Sequence, residues 1–409
     1  MAGRPVERAA RIAFARNRVV GRTPEGVEYR FHCPDAHKFP AQFLWDSCWH
    51  AIALRHLDPV AARDELRTLL RAQEPDGFLP HTILWHRPVR LSRRFHYSLQ
   101  RTSDRVTRTI QPPFVAFAWE LVARASPDDP GFAGEAIAGL GALHGWFERE
   151  RNPDGSGLIA LISPDESGLD ASPKFDALMG WRASGLPGFA WHIHELRRGG
   201  FRLDDVLRRD GFCVQEVLTT VAHAASLHAL ARLSADDASR VAAERVEAAL
   251  FERCWDEKRG LFFDLAYPSG VPQRVSTWAS LAPLALPNLP REMAGRLAEQ
   301  LADRGEYALP WPVPSTAASE PAFRRRTGLV PRYWRGETWL AATWLLHRGL
   351  RIHGFDDLAR TLARQATRLV AGRGLREYYD PVEGTPQGAQ HFGMSALVLD
   401  LEREASSAP

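Results

Sequence analysis

Twelve consecutive residues, Asp165-Glu-Ser-Gly-Leu-Asp-Ala-Ser-Pro-Lys-Phe-Asp176, carry four carboxylates. Gly168 and Pro173 punctuate the run, so it reads as a turn-rich loop rather than a helix face. Solubility alone could account for an acidic loop. Ser167, Ser172 and the apolar Leu169 and Phe175 point instead to a loop folded inward against a pocket wall. A second segment, Leu375-Arg-Glu-Tyr-Tyr-Asp-Pro381, sets Glu377 beside two tyrosines. A semi-buried carboxylic acid facing a carboxylate among aromatic rings is what cleavage of a glycosidic bond requires. Taken alone, each residue has a plainer reading: Asp170 as a carboxylate capping a nearby helix, Glu377 as a surface glutamate in a turn before Pro381.

The elements that must hold these loops are helices. Val214, Val217, Leu218, Val221, Ala222 and Ala225 recur at three and four residues and mark an apolar helix stripe. The same period predicts helices near 5–17, 44–56, 58–73, 112–125, 133–150, 183–198, 212–232, 235–254, 276–285, 290–304, 335–352, 356–371 and 391–402. Alternating strands are few, the best being Gly260-Leu-Phe-Phe-Asp-Leu265. Closely spaced pairs, such as 44–56 with 58–73, 212–232 with 235–254 and 335–352 with 356–371, form antiparallel hairpins. Between them lie long Pro/Gly-rich loops at 74–111, 151–182, 256–275 and 305–334, which hold most of the polar residues of interest. No low-complexity linker splits the chain. The expectation is one domain over 1–409, a closed ring of helical hairpins with active-site loops at one end.

Composition narrows the function. The net charge is +3 with 52 basic and 49 acidic residues, so neither a nucleic-acid nor an anionic-membrane partner is implied. Cys33, Cys48, Cys213 and Cys254 are scattered, which fits reduced thiols in a cytoplasmic enzyme. The N-terminus has no signal-peptide core and no segment approaches about 18 uninterrupted apolar residues, so a soluble protein is expected. His192, His194 and Glu195 mimic a metal cluster, yet residues at i and i+2 do not share a helix face and no third ligand is evident. The thirteen tryptophans are the compositional outlier. Most suit a core, while Trp45, Trp334 and Trp339 stand beside charged residues, where indole faces can stack on sugar rings.

Four segments carry a resemblance: Gln42-Phe-Leu-Trp-Asp-Ser-Cys-Trp-His50, the 165–176 loop, Tyr333-Trp-Arg-Gly-Glu-Thr-Trp339 and Arg376-Glu-Tyr-Tyr-Asp-Pro381. With Gln73-Glu-Pro-Asp-Gly-Phe-Leu-Pro-His81, Gln111-Pro-Pro113 and Trp255-Asp-Glu-Lys-Arg-Gly-Leu261, they resemble glycoside hydrolase family 63 and its mannosylglycerate and glucosylglycerate hydrolase relatives, with trehalases more distant. The resemblance runs from about residue 28 to residue 402, with the motifs in order. It implies an (α/α)6 barrel, the six-hairpin toroid, and hydrolysis with inversion, without metal or organic cofactor. Carried over, Asp170 matches the general acid and Glu377 the general base, and Trp45 and Asp46 match the pair that grips sugar hydroxyls. Gln111 is placed to bond a hydroxyl, Tyr333, Trp334, Arg335 and Trp339 match the aromatic wall of the sugar subsite, and Gln390 lies near a sugar-reading glutamine. A semi-buried loop would keep Asp170 protonated near neutral pH, and the inverting geometry sets the two carboxyls about 6.5–9.5 Å apart.

The chain departs from the family at Ala171, Lys174 and Phe175, and at Glu337, where Trp-Arg-Gly-Pro becomes Trp-Arg-Gly-Glu. The segment that clamps glycerate in the glycerate-glycoside hydrolases finds no counterpart; Phe212-Cys-Val-Gln-Glu-Val217 stands in that region. The reading is an exo-acting, inverting α-glycosidase for a short α-glucoside or α-mannoside, with room left for a homo-oligomer. Its rivals are a non-catalytic sugar-binding relative and a sugar 2-epimerase on a similar barrel, whose chemistry needs histidine proton carriers where carboxylates stand here. Glu337 is expected first as a scaffold carboxylate paired with Arg335 or another arginine.

Overall fold

The structure, a computed structural model, describes residues 4–85, 105–183, 186–326 and 333–406. The remaining parts of the expected 74–111 and 305–334 loops lie outside the described residues.

Six helical segments pack side by side and return on themselves. In order they are α2 (Leu44–Leu54), α4 (Val115–Arg124), α6 (Val217–Ser234), the 3-10 helix Trp278–Ala285, α9 (Leu340–Ile352) and the 3-10 turn Gly393–Leu397. The turn leads into α11 (Val398–Ser406) and packs against α2, which closes the ring. Outside stand α1 (Pro5–Asn17), α3 (Pro59–Leu70), α5 (Ile137–Glu150), α7 (Asp237–Arg253), α8 (Arg291–Ala302) and α10 (Asp356–Arg373). This is an (α/α)6 barrel.

Sequence sets the two layers apart. Every residue of α2 is buried, as is the run Val217 to Leu230 of α6, so these inner helices are buried on every side, the polar Asp46, His50, His223 and Ser226 included. The stripe expected from 212 onwards is therefore part of a wider buried surface, and its first residues, Val214–Gln215, form a strand. Outer helices keep one buried face: in α10 it is Ala359, Leu362, Ala363, Ala366, Leu369 and Val370. Caps fix their starts. Asp58 accepts from the Ala61 N–H ahead of Pro59 in α3, and Asp236 from the Ala238 and Ser239 N–H groups in α7. The four cysteines are free and buried. No helix among the described residues is long and apolar enough to cross a membrane.

Small sheets brace the loops at one end. Ala160–Leu161, Val214–Gln215 and Leu265–Ala266 form a three-stranded sheet at the root of the 165–176 loop. Of the expected strand at 260–265, Leu261–Phe262 pairs with Trp255–Asp256. Arg376–Tyr379 pairs with Pro386–Gln390 in an antiparallel hairpin. The expected helix start at 335 is overrun by a turn: Trp334 has φ 62° and the helix begins only at Leu340.

Candidate active site

A cavity of about 340 Å³ opens at the loop end of the ring, lined by residues from seven separate segments. Asp170 and Glu377 both line it, with Trp45, Asp46, Gln111, Tyr333, Trp334 and Trp339. Eight of the ten residues singled out in the sequence thus meet around one space.

The acid loop is held from below. Glu166 is fully buried; it takes Arg151 in a two-pronged ion pair at 2.6 and 2.8 Å and accepts the backbone N–H groups of Ile110 and Ile162. One buried carboxylate therefore ties the 165–176 loop to the residue before Gln111. Lys174 is 3% exposed and pairs with Glu216 and, at 3.0 Å, with Asp264. Burial alone would pull the Lys174 ammonium down, but the charges of Asp264 and Glu216 outweigh it and hold it above its ordinary value. Gly168, at φ 72°, crosses the face of Trp45: a Cβ there would fall 2.6 Å from Cζ2 of the indole. This contact brings the acid loop against α2.

The buried carboxyl is not the one expected. Asp170 is exposed on the cavity wall, not semi-buried as the loop suggested. Asp46, in the first turn of α2, is 5% exposed. Burial pushes its carboxyl up to about 7, with the charges of Asp170 and Glu377 adding and His50 opposing.

Glu377 sits at a β-bulge. Arg376 stands opposite Gln390 and Tyr378 opposite Gln387, so Glu377 faces two residues, Gly388 and Ala389. Bulges re-aim side chains beside active sites. Gly388, at φ 68°, leaves room that a Cβ 2.5 Å from Oε2 of Glu377 would fill, and the Ala389 N–H donates to that oxygen at 2.7 Å.

The same bulge corrects Gln390. The shifted register leaves it exposed and outside the cavity lining. Arg335 is also outside: its guanidinium bonds Asp176 at 2.6 Å, joining the aromatic segment to the end of the acid loop. Gln111 lines the cavity while its side-chain oxygen accepts the Trp45 N–H at 3.0 Å. That leaves its amide nitrogen to donate to a ligand. Glu337 is fully buried, and its carboxylate accepts the Arg335 backbone N–H at 3.0 Å, while the guanidinium of that arginine goes to Asp176. It does not line the cavity.

The aromatic wall is continuous. Trp334 stacks on Trp339 with centroids 3.8 Å apart, Trp339 meets Tyr378 at 4.9 Å, and Trp45 meets Trp334 at 6.3 Å. The left-handed backbone of Trp334 is uncommon for a bulky residue and is offset by this stacking. Sequence reasoning passed over Lys38, Phe39, His81, Asp165 and Phe392, all in the lining. Asp165 belongs to the acidic run, and Lys38 and Phe39 lie just upstream of Trp45, so proximity to the motifs was the available signal. Among the described residues no group of three or more His, Cys, Asp or Glu could hold a metal ion.

Carboxylates from separate loops that line one aromatic-walled cavity at one mouth of an (α/α)6 ring suit a glycoside hydrolase. The family model described as "Mannosylglycerate hydrolase MGH1-like glycoside hydrolase domain" matches residues 39–395, and the chain belongs to this family. It is 29% identical to the mannosylglycerate hydrolase of Thermus thermophilus, over 90% of this chain and 95% of that one. It is 26% identical to the glucosylglycerate hydrolase of Mycolicibacterium hassiacum, over 88% and 92% of the two chains. The crystal structure of a family 63 mannosylglycerate hydrolase from Thermus thermophilus in complex with Tris and D-glycerate superposes with a TM-score of 0.84 at 26% identity, covering 97% of this chain and 99% of that one. Neutral trehalase from Saccharomyces cerevisiae shares the fold, with a TM-score of 0.61 at 15% identity over 98% of this chain and 80% of that one.

Proposed function

We propose that this protein hydrolyses a short α-mannoside or α-glucoside with inversion, Asp170 acting as general acid and Glu377 as general base. In the single displacement, Glu377 takes a proton from water as the water oxygen bonds the anomeric carbon. The bond from that carbon to the leaving oxygen breaks, and Asp170 passes its proton to that oxygen. The observation that carries the reading is that Asp170 and Glu377, from separate loops, line one cavity with the aromatic wall.

Asp46 and Gln111 hold the sugar hydroxyls in this scheme, and the Trp45, Trp334 and Trp339 rings pack on its faces. A sugar on either side of Asp170 strips water from its carboxyl and favours the neutral form that the acid role requires. Family membership sets the epimerase reading aside. The presence of both carboxylates in one cavity weighs against a non-catalytic binder.

The test is a hydrolysis panel of mannosylglycerate, glucosylglycerate and α-linked disaccharides of mannose and glucose, followed by proton NMR. Release of the β-anomer first is the expected result. Release of the α-anomer first, or no turnover across the panel, overturns the assignment.

A further inference from the structure

We infer that Lys38 is a positioning residue for Glu377: its ammonium ties down one carboxylate oxygen and thereby assigns the other to the attacking water. The inference rests on the reading of Glu377 as the base.

Lys38 Nζ lies 2.5 Å from Oε2 of Glu377, the same oxygen that accepts the Ala389 N–H at 2.7 Å. Both donors therefore fall on Oε2. Among the described residues none donates to Oε1. A base with both oxygens held by cationic donors has fewer lone pairs open to a water, and one with neither held swings about its side-chain torsions. Fixing one oxygen leaves the carboxylate aimed with the other open to the water, which is what positioning for an in-line attack requires.

Lys38 is itself held. Its backbone N–H donates to Asp35 at 2.5 Å, and its ammonium lies 4.9 Å from the Phe39 ring centroid and 5.2 Å from that of Tyr333. Both rings line the cavity with it.

The choice of lysine carries information in this chain. Of 52 basic residues only Lys38, Lys174 and Lys258 are lysines. Wherever a cation suffices the chain uses arginine almost without exception, yet the cation on Glu377 is a lysine. A guanidinium presents a planar fork that engages both oxygens of a carboxylate, whereas an ammonium is a point donor that can bind one. An arginine here would occupy the oxygen the water needs.

The experiment compares wild type, Lys38→Met, Lys38→Arg, Glu377→Gln and Asp170→Asn on the glycoside cleaved best in the panel and on α-mannosyl and α-glucosyl fluoride. Fluoride leaves without a proton, so the fluorides report the base step with little demand on the acid. Lys38→Met is expected to lose about 10²-fold in kcat on glycoside and fluoride alike, the usual cost of a misplaced reacting group. Its KM should stay within about threefold, since no ground-state contact to the sugar is removed. Lys38→Arg, charge intact, should also fall below wild type. Asp170→Asn should lose far less on the fluorides than on the glycoside. A crystal structure of Lys38→Met should show the Glu377 carboxylate rotated, and thermal unfolding identifies any variant that fails to fold. Lys38→Met with undiminished kcat, a loss that disappears on the fluorides, or Lys38→Arg matching wild type overturns the inference while leaving Glu377 as base. Glu377→Gln turning over like wild type, or a wild type inactive on every glycoside and fluoride, overturns the parent reading and this one with it.

Discussion

The guanidinium of Arg335 lies 2.6 Å from the carboxylate of Asp176, and this contact joins the two halves of the cavity rim. Arg335 belongs to the segment that carries Tyr333, Trp334 and Trp339; Asp176 closes the loop that carries Asp170. Neither lines the cavity. Their effect on catalysis must pass through the loops they hold. Arg335→Met and Asp176→Asn should each lower kcat/KM by about tenfold, and the double variant should be little worse than either, since both remove one interaction. The coupling in a double-mutant cycle should be about 1 kcal/mol, because Asp176 is 40% exposed and water screens the pair. Additive losses in the cycle would refute the link.

Asp170→Asn and Glu377→Gln are each expected to reduce hydrolysis by about 10²–10⁴-fold, the usual weight of a positioned acid or base. Steady-state rates on the panel substrate measure this. Undiminished turnover in either variant removes that residue from its role.

Much of this arrangement was legible in the chain because helices announce themselves over many residues. The paired periodic segments gave the ring, and the predicted stretches at 5–17, 235–254 and 356–371 differ from the observed helices by at most two residues at either end. The site was harder where it depends on single residues of short strands. The bulge opposite Glu377 changes which residues face the cavity, and the sequence of 386–390 carries no trace of it; Gln390, matched through the resemblance to a sugar-reading glutamine, is exposed and outside the cavity lining. Lys38 and Glu377 are 339 residues apart, and only the closure of the ring brings them together. The burial of Asp46 and the exposure of Asp170 were likewise set by which loop crosses which: Gly168 lets the acid loop lie on Trp45, and Asp170 stands exposed on the cavity wall beyond it.

Lys174 sits beneath the acid loop between Glu216 and Asp264, all three buried. Removing the ammonium would leave two carboxylates facing each other without a counter-charge. Lys174→Met is therefore expected to destabilise the fold by about 3–5 kcal/mol, the range for breaking a buried pair from one side. The loss should be smaller at pH 5 than at pH 8, because burial pushes the Asp264 carboxyl up to about 6 even with the lysine in place, and a proton can replace the missing charge. Denaturant unfolding at both pH values checks this. An equal loss at pH 5 and pH 8 would show that packing of the lysine stem, not its charge, supports the loop.

Asp46 offers the sharpest test, because stability and activity should move in opposite directions. Its carboxyl is raised from 3.8 to about 7 in the folded protein, chiefly by burial. Between those two values the folded chain binds more protons at this site than the unfolded chain, so stability falls as pH rises through that window. By pH 8 the accumulated cost is up to about 4 kcal/mol, at about 1.36 kcal/mol for each pH unit that separates the two values. An amide of the same shape carries no such cost. Asp46→Asn should therefore melt higher than wild type at pH 8, with the difference shrinking towards zero near pH 4. The same variant should lose at least about tenfold in kcat/KM, because an amide offers one acceptor where the carboxylate offers two to the sugar hydroxyls. A bound sugar that donates two hydrogen bonds favours the ionised form, so ligand should stabilise wild type more than the variant, and more at pH 8 than at pH 5. Thermal unfolding across pH 4–8, with and without glucose or mannose, measures all three effects. A variant that melts below wild type at pH 8, or by a margin independent of pH, would show that Asp46 is stabilised in its ionised form before any sugar arrives.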